Sequence, residues 1–255
     1  MTAEDTSPPA GPSDRLNDWA LRAEDPRDPS TRGAWRKLAS VSAIAGLVFA
    51  VLYLASYLLL DRTPLGGASD QQILAYYAEG RNLTITIAGM LVMPFAGIAF
   101  LYFMEAMRAS AMATGLRFSR LLASVQLATG ILFVGLLFVA TASIVATPAS
   151  IRFADASTDP IVARMLPTLG TAILLMFAMR AASMFVFTTS SIGRATGLIP
   201  SWFTWVGYAV GLLLLFTATL ATWFALLFPA WVVALCAIVL WQHSARHTEA
   251  RSDHA

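Results

Sequence analysis

Apolar runs too long for the interior of a water-soluble domain occupy most of this 255-residue chain, at 38–60, 83–104, 121–146, 168–189 and 202–241. A helix rises about 1.5 Å per residue, so about 20 apolar residues cross the roughly 30 Å hydrocarbon core of a bilayer. Only helices and closed barrels satisfy their backbone hydrogen bonds there. These runs are continuous rather than alternating in polarity, so the pattern specifies helices. The last run, at about 1.5 Å per residue, would extend about 60 Å, twice the hydrocarbon thickness, and must fold back as a hairpin turning between Thr219 and Pro229. The expected fold is therefore an all-α, polytopic bundle of six transmembrane helices, at about 38–60, 83–104, 121–146, 168–189, 201–221 and 225–243. With 57% hydrophobic and 13% charged residues and a mean hydropathy of +0.66, the chain has lipids as its principal partners.

Orientation follows from lysine and arginine, which favour the cytoplasmic side. With the N-terminus inside, twelve basic residues fall in inner segments and only Arg62, Arg81, Arg152 and Arg164 in outer ones. Both termini are thus expected in the cytoplasm and the protein in the cell membrane. Trp35, Trp202, Trp205 and Trp241 at inner ends, with Tyr57, Trp223 and Trp231 near outer ends, agree with aromatic belts at two interfaces. Residues 1–37 hold seven acids, six bases and five prolines, which reads as a disordered cytoplasmic tail rather than the apolar core of a signal peptide. Within it, Leu16, Trp19, Ala20 and Ala23 have the spacing of a short surface helix. The membrane domain spans 38–243, and 244–255 forms a second cytoplasmic tail.

Two outer loops carry helix-start chemistry. Ser69 with Gln72 makes a capping box, and Asp159 with Pro160 an N-cap and first-turn pair, so short interfacial helices are expected at both. Pro94 should kink the second span. The loop lengths do not mirror each other between halves, which argues against an inverted-repeat transporter.

Arg180 is the only charge in the interior of a run. A central arginine costs about 2.5–3.5 kcal/mol on insertion scales, so it normally faces a bundle interior and finds a partner. Glu105, Gln126 and Tyr208 are the candidates, and with Arg180 they would form a polar cluster in the inner half. Such a cluster either holds an anion, with Arg180 on a carboxylate, phosphate or headgroup, or fixes helix register through a Glu105–Arg180 pair. Glu105 also stands i, i+3 from Arg108, a pairing that would leave Arg180 to water or backbone carbonyls.

Other chemistries lack their residues. No Asp, Glu or His lies inside another span, which removes proton relays and haem ligation and leaves no cofactor expected. His243 and His247 lack a third ligand, so no metal is expected, and Cys236 reads as a small buried hydrophobe. Ser190 and Ser191 have no base nearby, and no catalytic residue is assigned. No basic cluster interleaved with aromatics indicates nucleic acid. Gly207 and Gly211 form a GxxxG that allows close helix packing, within the chain, with another membrane protein or in a homo-oligomer.

From Thr188 to Leu215 the chain reads TTSSIGRATGLIPSWFTWVGYAVGLLLL, and from Phe228 to Trp241 FPAWVVALCAIVLW. With Arg194, Gly197, Pro200, Trp202, Gly207, Pro229 and Trp231, this resembles a family of uncharacterised bacterial multi-span membrane proteins grouped under a domain of unknown function. The resemblance implies six spans and brings no activity. The leading expectation is a non-enzymatic accessory or interaction protein, the rival a small-anion or lipid binder or transporter centred on Arg180, and a membrane-embedded enzyme ranks last.

Overall fold

The computed structural model describes residues 29–60, 69–78, 82–112, 120–155, 157, 159–216 and 222–252. Helices make up nearly all of them, and no strand occurs among the described residues. Seven helices follow in order: α1 (Pro29–Leu60), α2 (Asp70–Ala78), α3 (Asn82–Ile87, a π turn at Ala88–Val92, then Met93–Met112), α4 (Arg120–Ala154), α5 (Pro160–Ala172, a π turn at Ile173–Ala178, then Met179–Ala195), α6 (Ser201–Phe216) and α7 (Leu227–Ser252), the last entered through a 3-10 turn at Thr222–Leu226.

Five of the seven, α1, α3, α4, α5 and α7, are long and apolar enough to cross a membrane. The helix α6 is apolar but has only 16 residues, about 24 Å at the helical rise, and its expected continuation to 221 lies outside the described residues. Several boundaries move outward from the sequence reading. The first helix begins at Pro29, so part of the expected tail is helical, and α7 continues to Ser252 through the expected C-terminal tail. The surface helix expected near Leu16 lies outside the described residues.

The capping box closes as its spacing implies: the Ser69 backbone N–H donates to Gln72 Oε1 at 2.9 Å, and the Gln72 N–H to Ser69 Oγ at 3.3 Å. Asp159 caps α5 by accepting from the Ile161 N–H at 2.8 Å, with Pro160 at the first helical position. That cap opens no separate surface helix. It starts one helix that runs through Pro167 and the π turn to Ala195. At Pro94 the expected disturbance takes the form of a π turn just upstream, where the Met93 N–H reaches back to the Ala88 carbonyl. Proline's ring crowds the preceding turn, and widening that turn by one residue relieves the crowding.

The long helices close a ring, α1 on α3, α3 on α4, α4 on α5, α5 on α6, and α7 back on α1 and α6. Five fully buried phenylalanines, Phe49, Phe100, Phe133, Phe185 and Phe228, one from each long helix, meet inside it. Their ring centroids lie 4.7–6.4 Å apart in tilted and edge-on pairs, the arrangement that aromatic quadrupoles favour. Phe49 is the middle residue of the apolar run 38–60, and Phe133 lies at the middle of 121–146.

Candidate functional site

Side chains on a helix tilt toward its N-terminus. The N-terminus of α5 lies on the side away from Pro29 and Ser252, the first and last described residues, which we call the far side. Arg180 follows the rule: its Nη1 donates to the carbonyl oxygen of Met176, one turn nearer the far side. That carbonyl belongs to the π turn, where the Met179 N–H reaches back five residues to Leu174. Among the described residues Arg180 makes no ion pair. It is half-buried, on the outward stripe of α5 that also holds Phe177, 58% exposed, and Met184, 41% exposed.

The other three residues expected beside it have other partners. Gln126 donates through Nε2 to Thr189 Oγ1 at 2.8 Å, joining α4 to α5. Tyr208 shares a hydrogen bond with Ser191 at 3.0 Å, joining α6 to α5. Glu105 sits 3.7 Å from Arg108 on its own helix, with 55% of its side chain exposed. Thr189 is nine residues and Ser191 eleven residues from Arg180, so Gln126 and Tyr208 lie about 13–16 Å further from the far side. The four residues therefore occupy two levels, with Arg180 alone on the far side of the phenylalanine belt. Grouping them by sequence depth overlooks side-chain direction, since Arg180 extends away from the inner half.

Gly207 and Gly211 both face α5. A methyl group on Gly207 would collide with Ser190 Oγ and lie 3.4 Å from Trp231 Nε1, and one on Gly211 would press on the Phe187 ring at 3.0 Å. Ser183 adds a hydrogen bond from its hydroxyl to the Gly211 carbonyl at 2.7 Å. The missing side chains let α5 and α6 approach until a serine reaches across to backbone, the packing used where lipid offers no hydrophobic drive. Gly197 holds φ +69° in the link between them, a conformation glycine adopts without cost.

On the far side, α2 lies against the extensions of α4 and α5 through Ile73, Tyr77 and Ala163, with Asp70 and Arg164 paired at 2.6 Å. Burial, followed by the neighbouring Tyr76, pushes the Tyr77 phenol up to about 12. Two voids lie along the long helices. A wholly apolar groove of about 560 Å³ runs along the outside of α1 and α3, past Val48, Phe95 and Tyr102. A smaller cavity of about 50 Å³ lies between α1, α3, α4 and α5, with Tyr53, Thr141 and Thr171 in its lining and room for water. Neither is lined by Arg180.

The sequence reading missed Thr189, Ser191 and Met176 as partners. A serine or threonine in an apolar helix is a weak signal, because it can bond to its own backbone, as Thr188 does to the Met184 carbonyl at 2.8 Å. No group of three or more His, Cys, Asp or Glu residues suited to a metal occurs among the described residues. No family model, curated protein or solved structure matches the chain.

Proposed function

We propose that this protein is a six-span, non-enzymatic interaction protein of the cell membrane, with both termini in the cytoplasm, that engages lipid or protein partners through its lateral surface. One observation carries the reading: five buried phenylalanines, one from each long helix, meet inside the ring, while Gln126 and Tyr208 bond across to α5. Twelve basic residues against four support the orientation. The α6 segment, with α7, supplies the final hairpin.

The second reading is a small-anion or lipid binder or transporter centred on Arg180. It draws on one specific feature, a half-buried guanidinium with a backbone carbonyl and no carboxylate for a partner among the described residues. Transport requires the belt to part, whereas binding on the far side does not. Purified protein in liposomes loaded with radiolabelled phosphate or organic acids separates the two. The interaction reading expects efflux at the rate of protein-free liposomes. Efflux abolished by Arg180→Gln would replace it with a carrier.

A further inference from the structure

We infer that the small cavity between α1, α3, α4 and α5 is a binding site for water, which joins the Tyr53 hydroxyl to the backbone carbonyl of Leu175. Such a site lies in the interior of the bundle and does not depend on what the lateral surface engages.

Tyr53 supplies the donor. It is fully buried, and its hydroxyl has no hydrogen-bond partner among the described residues. Buried polar groups normally bond to protein or to ordered water, because an unreplaced bond to solvent is costly. Other buried hydroxyls of the bundle follow that rule by donating to backbone carbonyls: Ser56 to Ala88, Thr141 to Leu137 and Ser183 to Gly211. Tyrosine cannot fold back onto its own helix as threonine does, since its O–H stands at the end of a rigid ring.

The π turn of α5 supplies the acceptor. In an unbroken α-helix the Met179 N–H would meet the Leu175 carbonyl, but here it reaches back to Leu174. The Leu175 carbonyl thereby loses its usual donor. Arg180 bonds to the next carbonyl, that of Met176, and not to this one. Leu175 is buried and lines the cavity, so bulk solvent does not take the donor's place. The π turn of α3 borders the same cavity through Met93, and there α1 attends the turn directly, with Ser56 donating to the Ala88 carbonyl at 3.1 Å. Turns of this kind recur at functional sites, and here two of them meet one void.

Size and lining select the ligand. The cavity of about 50 Å³ is bounded by Tyr53, Met93, Thr141, Thr171 and Leu175 among others, and no charged side chain lines it. An ion would enter without a counter-charge, and a lipid chain or organic acid is too large. A water takes up about 30 Å³ and needs two to four polar partners, so the space suits about one or two. The Thr141 hydroxyl, already donating to the Leu137 carbonyl at 2.8 Å, keeps its lone pairs to accept, and the Thr171 hydroxyl can donate or accept. Water here accepts from Tyr53 and donates to the Leu175 carbonyl, which satisfies one group on α1 and one on α5 that have no other partner.

The test is X-ray hydroxyl-radical footprinting of the full chain in nanodiscs, in which radicals generated from water oxidise the side chains beside it. Met93 reports from the cavity lining, and Met104 and Met179, also buried but outside that lining, are the references. We expect Met93 to be oxidised several-fold faster than either reference, and Tyr53→Phe and Thr171→Val each to bring its rate down toward theirs. Tyr53→Phe should also lower the midpoint of thermal unfolding by about 2–4 °C, the loss of about one hydrogen bond in a chain of this size. Met93 as protected as the references means a dry cavity and overturns the proposal. An unchanged or raised midpoint in Tyr53→Phe does so too, because deleting an orphaned hydroxyl costs the fold nothing. Met93 oxidation unchanged in both variants also overturns it, since water would then reach Met93 without using the site. If Tyr53→Phe does not fold, Met93 oxidation in wild type and Thr171→Val decides by the same criteria. None of these readouts involves efflux or a partner, so the water site can fail while the interaction reading stands.

Discussion

Arg180 and Glu105 are the two charges whose pairing would have tied α3 to α5, and each instead has a partner on its own helix. Glu105 lies beside Arg108 in an exposed i, i+3 pair, an interaction normally worth well under 1 kcal/mol. Glu105→Ala and Arg180→Leu should therefore lower stability independently, with the double variant matching the sum to within about 0.5 kcal/mol in denaturation of the reconstituted protein. A larger coupling would mean that the two side chains meet. The sequence disclosed which residues were exceptional, because one charge among apolar residues is unambiguous. It did not disclose partners: depth along a span can be counted, but side-chain direction depends on which way the helix runs and where its turns widen.

Elements were more legible than contacts. The capping box at Ser69 and the cap at Asp159 both form as their spacing requires, since each is closed within a few residues and owes nothing to the rest of the fold. Where the chain stays helical was harder to read, and residues 160–195 form one helix although the cap pair Asp159 and Pro160 suggested a separate interfacial one. The GxxxG of α6 allowed packing inside or outside the chain, and both glycines lie against α5. Gly207→Ala should cost about 1–3 kcal/mol by overpacking against Ser190, read as a lowered midpoint of thermal unfolding in detergent. Ser190→Ala in the same chain should recover part of that loss, because the hydroxyl is the atom in the way. No recovery would place the strain elsewhere.

For the molecule as a whole, the run lengths already required helices crossing lipid, while the aromatic belt that closes the ring could not be read from them. Its five phenylalanines come from five separate runs, and nothing in spacing alone assigns them a common level. The proposed six crossings would place both termini on one side, and the arginine distribution favours the cytoplasm for that side. A reporter active only in the cytoplasm, fused after Ala255, should be active, and one active only in the periplasm silent; the reverse would require an odd number of crossings or an inverted bundle. The unequal lengths of the described apolar helices, 36 residues at Pro160–Ala195 against 19 at Trp223–Trp241, also bear on the surrounding bilayer. A protein whose apolar height changes around its circumference imposes hydrophobic mismatch on one flank only, and lipid meets it by thinning locally at a cost of fractions of a kcal/mol per Å. That cost falls in a thinner membrane and is shared when two such flanks meet, so bilayer thickness becomes a variable that sorts and clusters this protein without any new contact.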